Sequence, residues 1–171
     1  MRSLRRTPRV ALLTALAALA LGAGVATAAL QDTARGGGVE LDLPAGWAKV
    51  LPVRAPGVTE PQTLLVIGTE GVRAAETDCQ VSSYRVPANG AVVVIVGWRD
   101  AAGTSGFLPF SALKLRRGTF ECFAGRGAVA QVTRRNRDFQ INVMVGDRAS
   151  TGTVEEALDA ARSFTLVPRS A

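Results

Sequence analysis

Hydrophobic side chains recur at every second position in several short stretches of this chain, and at helical spacing in only one. Val39, Leu41 and Leu43 alternate with Glu40 and Asp42, the pattern of a strand with one face buried. Pro44-Ala45-Gly46 marks a turn, and residues 47–53 are expected to return as the partner strand. Residues 64–67 and 92–96 are unbroken aliphatic runs, as central strands covered on both faces require. A further strand is expected over 79–86. Pro52, Pro56, Gly57 and Pro61 mark one loop, and residues 99–112 read as another.

The C-terminal third carries the clearest pattern. Leu113 and Leu115 alternate with Lys114 and Arg116, and Phe120 and Cys122 share one face of the next segment. Gly125-Arg126-Gly127 reads as a turn, residues 128–134 as a strand. Phe139, Ile141, Val143 and Val145 then alternate with Gln140 and Asn142. After them the period changes. Thr153 and Glu156 have the spacing of a capping box, Val154, Ala157, Leu158 and Ala161 follow at helical spacing, and Arg162 falls in the last turn. These elements predict an α+β fold: a mostly antiparallel β-sheet with one C-terminal helix packed on it. A β-sandwich with the helix as an appendage is the alternative. No internal repeat is visible.

The first residues follow other rules. Arg2, Arg5, Arg6 and Arg9 precede an uncharged apolar stretch over 10–25, which ends at the small-x-small triplet Ala26-Thr27-Ala28. That is the layout of a signal peptide over 1–28, cut after Ala28. A flexible Gly-rich linker is expected over 29–38 and a single globular domain over 39–168, in keeping with a length of 171 residues. The alternative is an N-terminally anchored protein, because residues 10–30 approach the length of a membrane span. Either way the domain is expected outside the cytoplasm, secreted or in the cell envelope. There the two cysteines, Cys79 and Cys122, are expected to form a disulfide. Closing a loop of this size would stabilise the domain by about 4 kcal/mol on the chain-entropy account.

Export also changes the meaning of the charge. The whole chain carries +6, but residues 29–171 hold 16 basic and 14 acidic side chains. Long-range attraction to nucleic acid has little to rest on, and no aromatic residues interleave with the arginines for base stacking. Nucleic acid is therefore not an expected partner; an envelope polymer or a membrane protein is.

Histidine is absent. That removes Ser-His and Cys-His catalysis, the HExxH metal motif and His-ligated metals, and no metal or other cofactor is expected. Gly125 to Ala130 formally match a dinucleotide-binding GxGxxA, but a strand follows where that motif needs a helix N-terminus. Glu155, Glu156, Glu76 and Asp78 are acids without a spacing that selects a catalytic pair, and Ser82, Ser83 and Ser105 lack a recognisable base. No catalytic residue is assigned. Trp47 and Trp98 read as buried anchors, with Trp98 and Arg99 as a pocket wall in the alternative.

The arginines form the remaining pattern. If residues 113–117, 119–123, 128–134 and 139–145 were consecutive antiparallel strands, Arg116, Arg117, Arg134, Arg135 and Arg137 would meet at one end of the sheet. Such a cluster would suit phosphate, sulfate or carboxylate groups.

The signal peptide, the start VELDLPAGW and the ending FQINVMVGDRAS…VEEALDAARSF together resemble the small exported actinobacterial proteins of unknown function. The resemblance implies location and a compact α+β domain and carries no activity. The expected function is an exported, non-catalytic envelope or extracellular domain, binding or structural, that contacts anionic groups through the Arg cluster. A His-free hydrolase built on carboxylates or Ser and Lys, and an accessory ectodomain of a membrane protein, are the alternatives.

Overall fold

A computed structural model describes residues 32–53, 57–75, 84–99 and 109–168. Its centre is the run Ala91–Gly97, a strand (β7) in which every residue is buried. β-Branched side chains fit such a pleated, doubly covered position, and each buried Val or Ile contributes about 1.5–3 kcal/mol. β7 is flanked by β4 (Gln62–Gly68) on one side and by β10 (Arg137–Val145) on the other, both antiparallel to it. β10 in turn pairs with β9 (Arg126–Arg134) in an uninterrupted register. Two-residue strands close the edges, β3 (Ala48–Lys49) on β4 and β8 (Arg116–Arg117) on β9, giving the order β3-β4-β7-β10-β9-β8.

A smaller sheet in the order β1-β2-β11 joins Thr33–Gly36, Val39–Asp42 and Thr165–Leu166. With helix α1 (Thr151–Arg162) it covers one face of the large sheet. Val39, Leu41, Ala157, Ala160, Ala161 and Phe164 meet Leu65, Ile67, Val93, Ile95, Phe139, Ile141 and Val143 there. The Phe139 and Phe164 rings lie 5.2 Å apart. On the other face Val66, Val92, Val94, Val96 and Met144 are covered by Tyr84, Val53, Val72, Trp98, Phe120 and Phe123. Tyr84 belongs to a short ribbon of β5 (Arg73–Ala74) and β6 (Tyr84–Arg85). The architecture is α+β, with antiparallel sheets and a single helix packed on them, as the periodicity predicts.

Several expectations change in detail. The linker expected over 29–38 contains β1, which pairs Thr33 with Asp42 and buries Ala34. Gly37 and Gly38 supply the positive φ of a tight hairpin (57° and 81°), and a Cβ on Gly37 would stand 2.6 Å from Leu64. Glycines read as flexibility thus serve a turn packed on β4. Only Ala48–Lys49 of the segment 47–53 is a strand, and it pairs with β4 rather than with β2. Residues 119–123 form turns, and Arg126-Gly127 opens β9 instead of turning the chain. A Cβ at Gly127 would stand 2.5 Å from the Phe120 ring, so this glycine lets Phe120 lie over the strand. The helix starts at Thr151, capped by Ser150, whose Oγ accepts from the Thr153 N–H at 3.1 Å. Gly152, a weak helix former, masks that first turn in the sequence. The signal segment and Cys79 lie outside the described residues.

Tyr84, the only tyrosine, gives this packing a spectroscopic reporter. It is buried, its hydroxyl accepts from the Val53 N–H at 3.0 Å, and burial pushes its phenol above the ordinary 10.0 while that bond opposes the rise. The folded state therefore favours the neutral phenol. Its contribution is fully present below the ordinary value and is lost as pH rises through the folded one. Absorbance at 295 nm should show ionisation above 10.0 in the folded chain and near 10.0 in denaturant. Tyr84→Phe should cost about 1 kcal/mol at neutral pH and flatten the alkaline loss of stability.

Candidate anion-binding site

β9 and β10 are joined by two residues, Arg135 and Asn136, with φ of 49° and 57°. Positive φ at both central positions makes the mirror-image turn whose twist matches the flanking strands. Asn and Gly adopt this conformation easily; an arginine does so at a cost of about 1 kcal/mol or more. Arg134 and Arg137 face each other directly before and after the turn. Like charges so placed repel.

Each of the flanking arginines is held by its own stem. Arg137 donates from Nε to the Trp98 carbonyl at 3.3 Å, and its guanidinium lies 5.2 Å from the centre of the Phe139 ring. Arg134 donates from Nη1 to the Thr133 carbonyl at 3.0 Å. Arg134 and Arg135 are exposed and Arg137 half-buried. Among the described residues, no ion pair engages any of the three. Asp138 next to them is buried, accepts from Thr133 Oγ1, and by strand alternation belongs to the opposite face from Arg134 and Arg137.

The other two arginines of the expected cluster lie elsewhere. Arg116 pairs with Gly127 and Arg117 with Arg126, at the far end of β9. From Arg126 to Arg134 is eight steps, about 26 Å at the rise of a strand. The expectation that all five meet is overturned, because it counted residues 119–123 as a strand. With that segment a turn, the chain reverses once fewer, and Arg116 and Arg117 fall at the opposite end. There Arg117 is ion-paired with Asp147 at 3.0 Å.

Acids gather on another surface. Asp42, Glu155, Glu156 and Asp159 line a cleft of about 380 Å³ between α1 and the loop at Pro44. Glu156 accepts from Trp47 Nε1 at 3.2 Å, and Asp159 is tied to Arg162 at 2.8 Å. These contacts give the acids structural tasks: Trp47 is fixed against the helix, and the last turn of α1 is braced. Among the described residues, no three His, Cys, Asp or Glu side chains are placed to hold a metal.

Trp98 is half-buried and packs with Val92, Val94 and Val96. Asn142, which alternates with the apolar positions of β10, is fully buried, because both faces of the sheet are covered. Its Oδ1 accepts from Gln140 Nε2 at 2.8 Å, and Gln140 Oε1 from Gln131 at 3.4 Å. Alternation identifies Gln140 and Asn142 as the polar positions of this strand; what covers them is non-local. Cys122 is not a free thiol. The described helix is not long and apolar enough to cross a membrane. The sequence matches no protein-family model, and no curated protein is significantly similar to it.

The turn geometry yields a stability test. Replacing the strained Arg135 and its neighbour by the residues this turn prefers, Arg135→Asn with Asn136→Gly, should raise the free energy of unfolding by about 1 kcal/mol. Urea denaturation checks it; an unchanged or lower midpoint would contradict the strain.

Proposed function

We propose that this chain is an exported, non-catalytic domain of the cell envelope or extracellular space, binding anionic groups of an envelope polymer through the tip of the β9–β10 hairpin. One observation carries the reading. Arg134, Arg135 and Arg137 surround a single tight turn, with no ion pair among the described residues and with Arg135 in a conformation that favours Asn or Gly. Three guanidinium groups on a rigid hairpin offer forked hydrogen bonds to phosphate or carboxylate oxygens. The anchoring of Arg137 by the Trp98 carbonyl and the Phe139 ring lowers the entropy lost when it engages an anion. The far-end pair Arg116 and Arg117 is outside this site.

Immobilised polyphosphate tests it. The wild-type chain should be retained at low salt and released as salt rises. Arg134→Gln, Arg135→Gln and Arg137→Gln combined should weaken retention about tenfold, since exposed charge contacts are individually modest. Arg116→Gln with Arg117→Gln should leave it nearly unchanged. Equal losses in both variants would reduce the effect to net charge and remove the assignment.

The location rests on the N-terminal segment, and with it the proposed Cys79–Cys122 crosslink. Protein recovered from an exporting host should begin at Ala29 and show no reactive thiol until reduced. An intact Met1 in the cytosol, or two thiols reacting without reductant, would refute this part.

A further inference from the structure

At the end of the large sheet that carries the β9–β10 turn, four strands share one register. Gln62 of β4 is opposite Gly97 of β7, Gly97 is opposite Phe139 of β10, and Phe139 is opposite Val132 of β9. Two residues further out, the same row holds Glu60, Arg99, Arg137 and Arg134. Arg137 and Arg134 are paired within the ladder itself. Beyond Gly97 the chain keeps to the register. The Trp98 N–H donates to the Asp138 carbonyl at 3.0 Å, and on the other side the Arg99 N–H donates to Glu60 Oε1 at 3.2 Å. Trp98 packs with Val92, Val94 and Val96 on the second face, so alternation turns Arg99 to the first. The Arg137 guanidinium lies on that same face, over Phe139.

Three arginines thus stand side by side on adjacent strands, spanning about 10 Å from first to last at the spacing of a sheet. Like charges in such a row repel. One carboxylate closes the row: Glu60 Oε1 lies 3.2 Å from Arg99 Nε. The Arg99 side chain is 75% exposed, so this ion pair is weak and readily exchanged for another anion.

We propose that Arg99 is a further binding residue of the anion site, that Glu60 occupies it in the free protein, and that the ligand is a linear chain of phosphates laid across the strand ends. The proposal rests on the hairpin tip being the anion site. A single phosphate meets Arg134, Arg135 and Arg137 without reaching Arg99, two strands away. A chain crossing from β9 to β7 reaches all four. One of its phosphates then takes the place of the Glu60 carboxylate on the Arg99 guanidinium, through forked hydrogen bonds. Glu60 therefore competes with a polymer and not with a small anion.

Fluorescence anisotropy of labelled long-chain polyphosphate, titrated at low salt with the chain purified from an exporting host, reads the outcome. Arg99→Gln should raise the dissociation constant about threefold, and Glu60→Gln should lower it about threefold, as suits exposed charge contacts. Glutamine keeps an acceptor for the Arg99 N–H, so Glu60→Gln removes the charge alone. In an Arg99→Gln background, Glu60→Gln should change nothing, because the guanidinium it frees is gone. Arg116→Gln and Glu121→Gln, exposed at the far end of β9, match the two charge changes and should leave the constant nearly unaltered. Orthophosphate should compete equally well against wild type and Arg99→Gln. Circular dichroism confirms folding. A Glu60→Gln effect no larger than that of Glu121→Gln, or one that survives Arg99→Gln, overturns the proposal. So does an Arg99→Gln variant that loses orthophosphate as much as polyphosphate. If the combined Arg134, Arg135 and Arg137 variant binds like wild type, the tip itself is not the site. If that variant binds weakly while Arg99→Gln and Glu60→Gln are inert, only the role of Arg99 and Glu60 fails.

Discussion

A strand with no exposed residue must have both faces of its sheet covered, and that requirement at β7 organises the molecule. One face receives the helix and the three-stranded sheet; the other receives Tyr84, Trp98, Phe120 and Phe123, delivered largely by turns and loop ends. The two covers differ in kind. Regular elements satisfy their own backbone groups, so the first cover can be extensive and apolar. Irregular chain must find partners for its N–H groups, and the Val53 N–H bonded to the Tyr84 hydroxyl is one such solution.

Polar groups beneath the second cover obey the same accounting. Asn142 is buried, and Gln140 and Gln131 extend its hydrogen bonding sideways along the sheet. Burying this stripe ties β9 to β10 on the face where apolar packing is thinnest. The arginines escape the accounting by position. Both pairs lie where strands end, and the length of β9 holds Arg116 and Arg117 apart from Arg134 and Arg137. The acids of the helix form a third surface, and internal contacts neutralise or occupy two of them.

Alternation exposed β10, and an unbroken run of β-branched side chains bounded by glycines exposed β7. The helix was visible for the complementary reason, through Val154, Ala157, Leu158 and Ala161. Short elements were harder. β1 owes its place to pairing with β2 and to Gly37 fitting against Leu64, neither of which is a property of residues 33–36. Likewise, Phe120 and Cys122 share a strand-like spacing, yet Phe120 packs across Gly127 from a turn. The candidate site was half legible. Arg134, Arg135 and Arg137 are neighbours in the chain and stay neighbours in the fold. Arg116 and Arg117 depended on counting reversals, and one misjudged segment moved them to the other end.

By itself, the order of residues determined the fold class, the doubly covered centre, the C-terminal helix and the absence of histidine chemistry. These follow from local periodicity and composition, which need no knowledge of partners. Tertiary structure alone decided which ends of the strands coincide and which polar side chains are buried. Those are relations between segments far apart in the chain, set by pairing and by what covers each face.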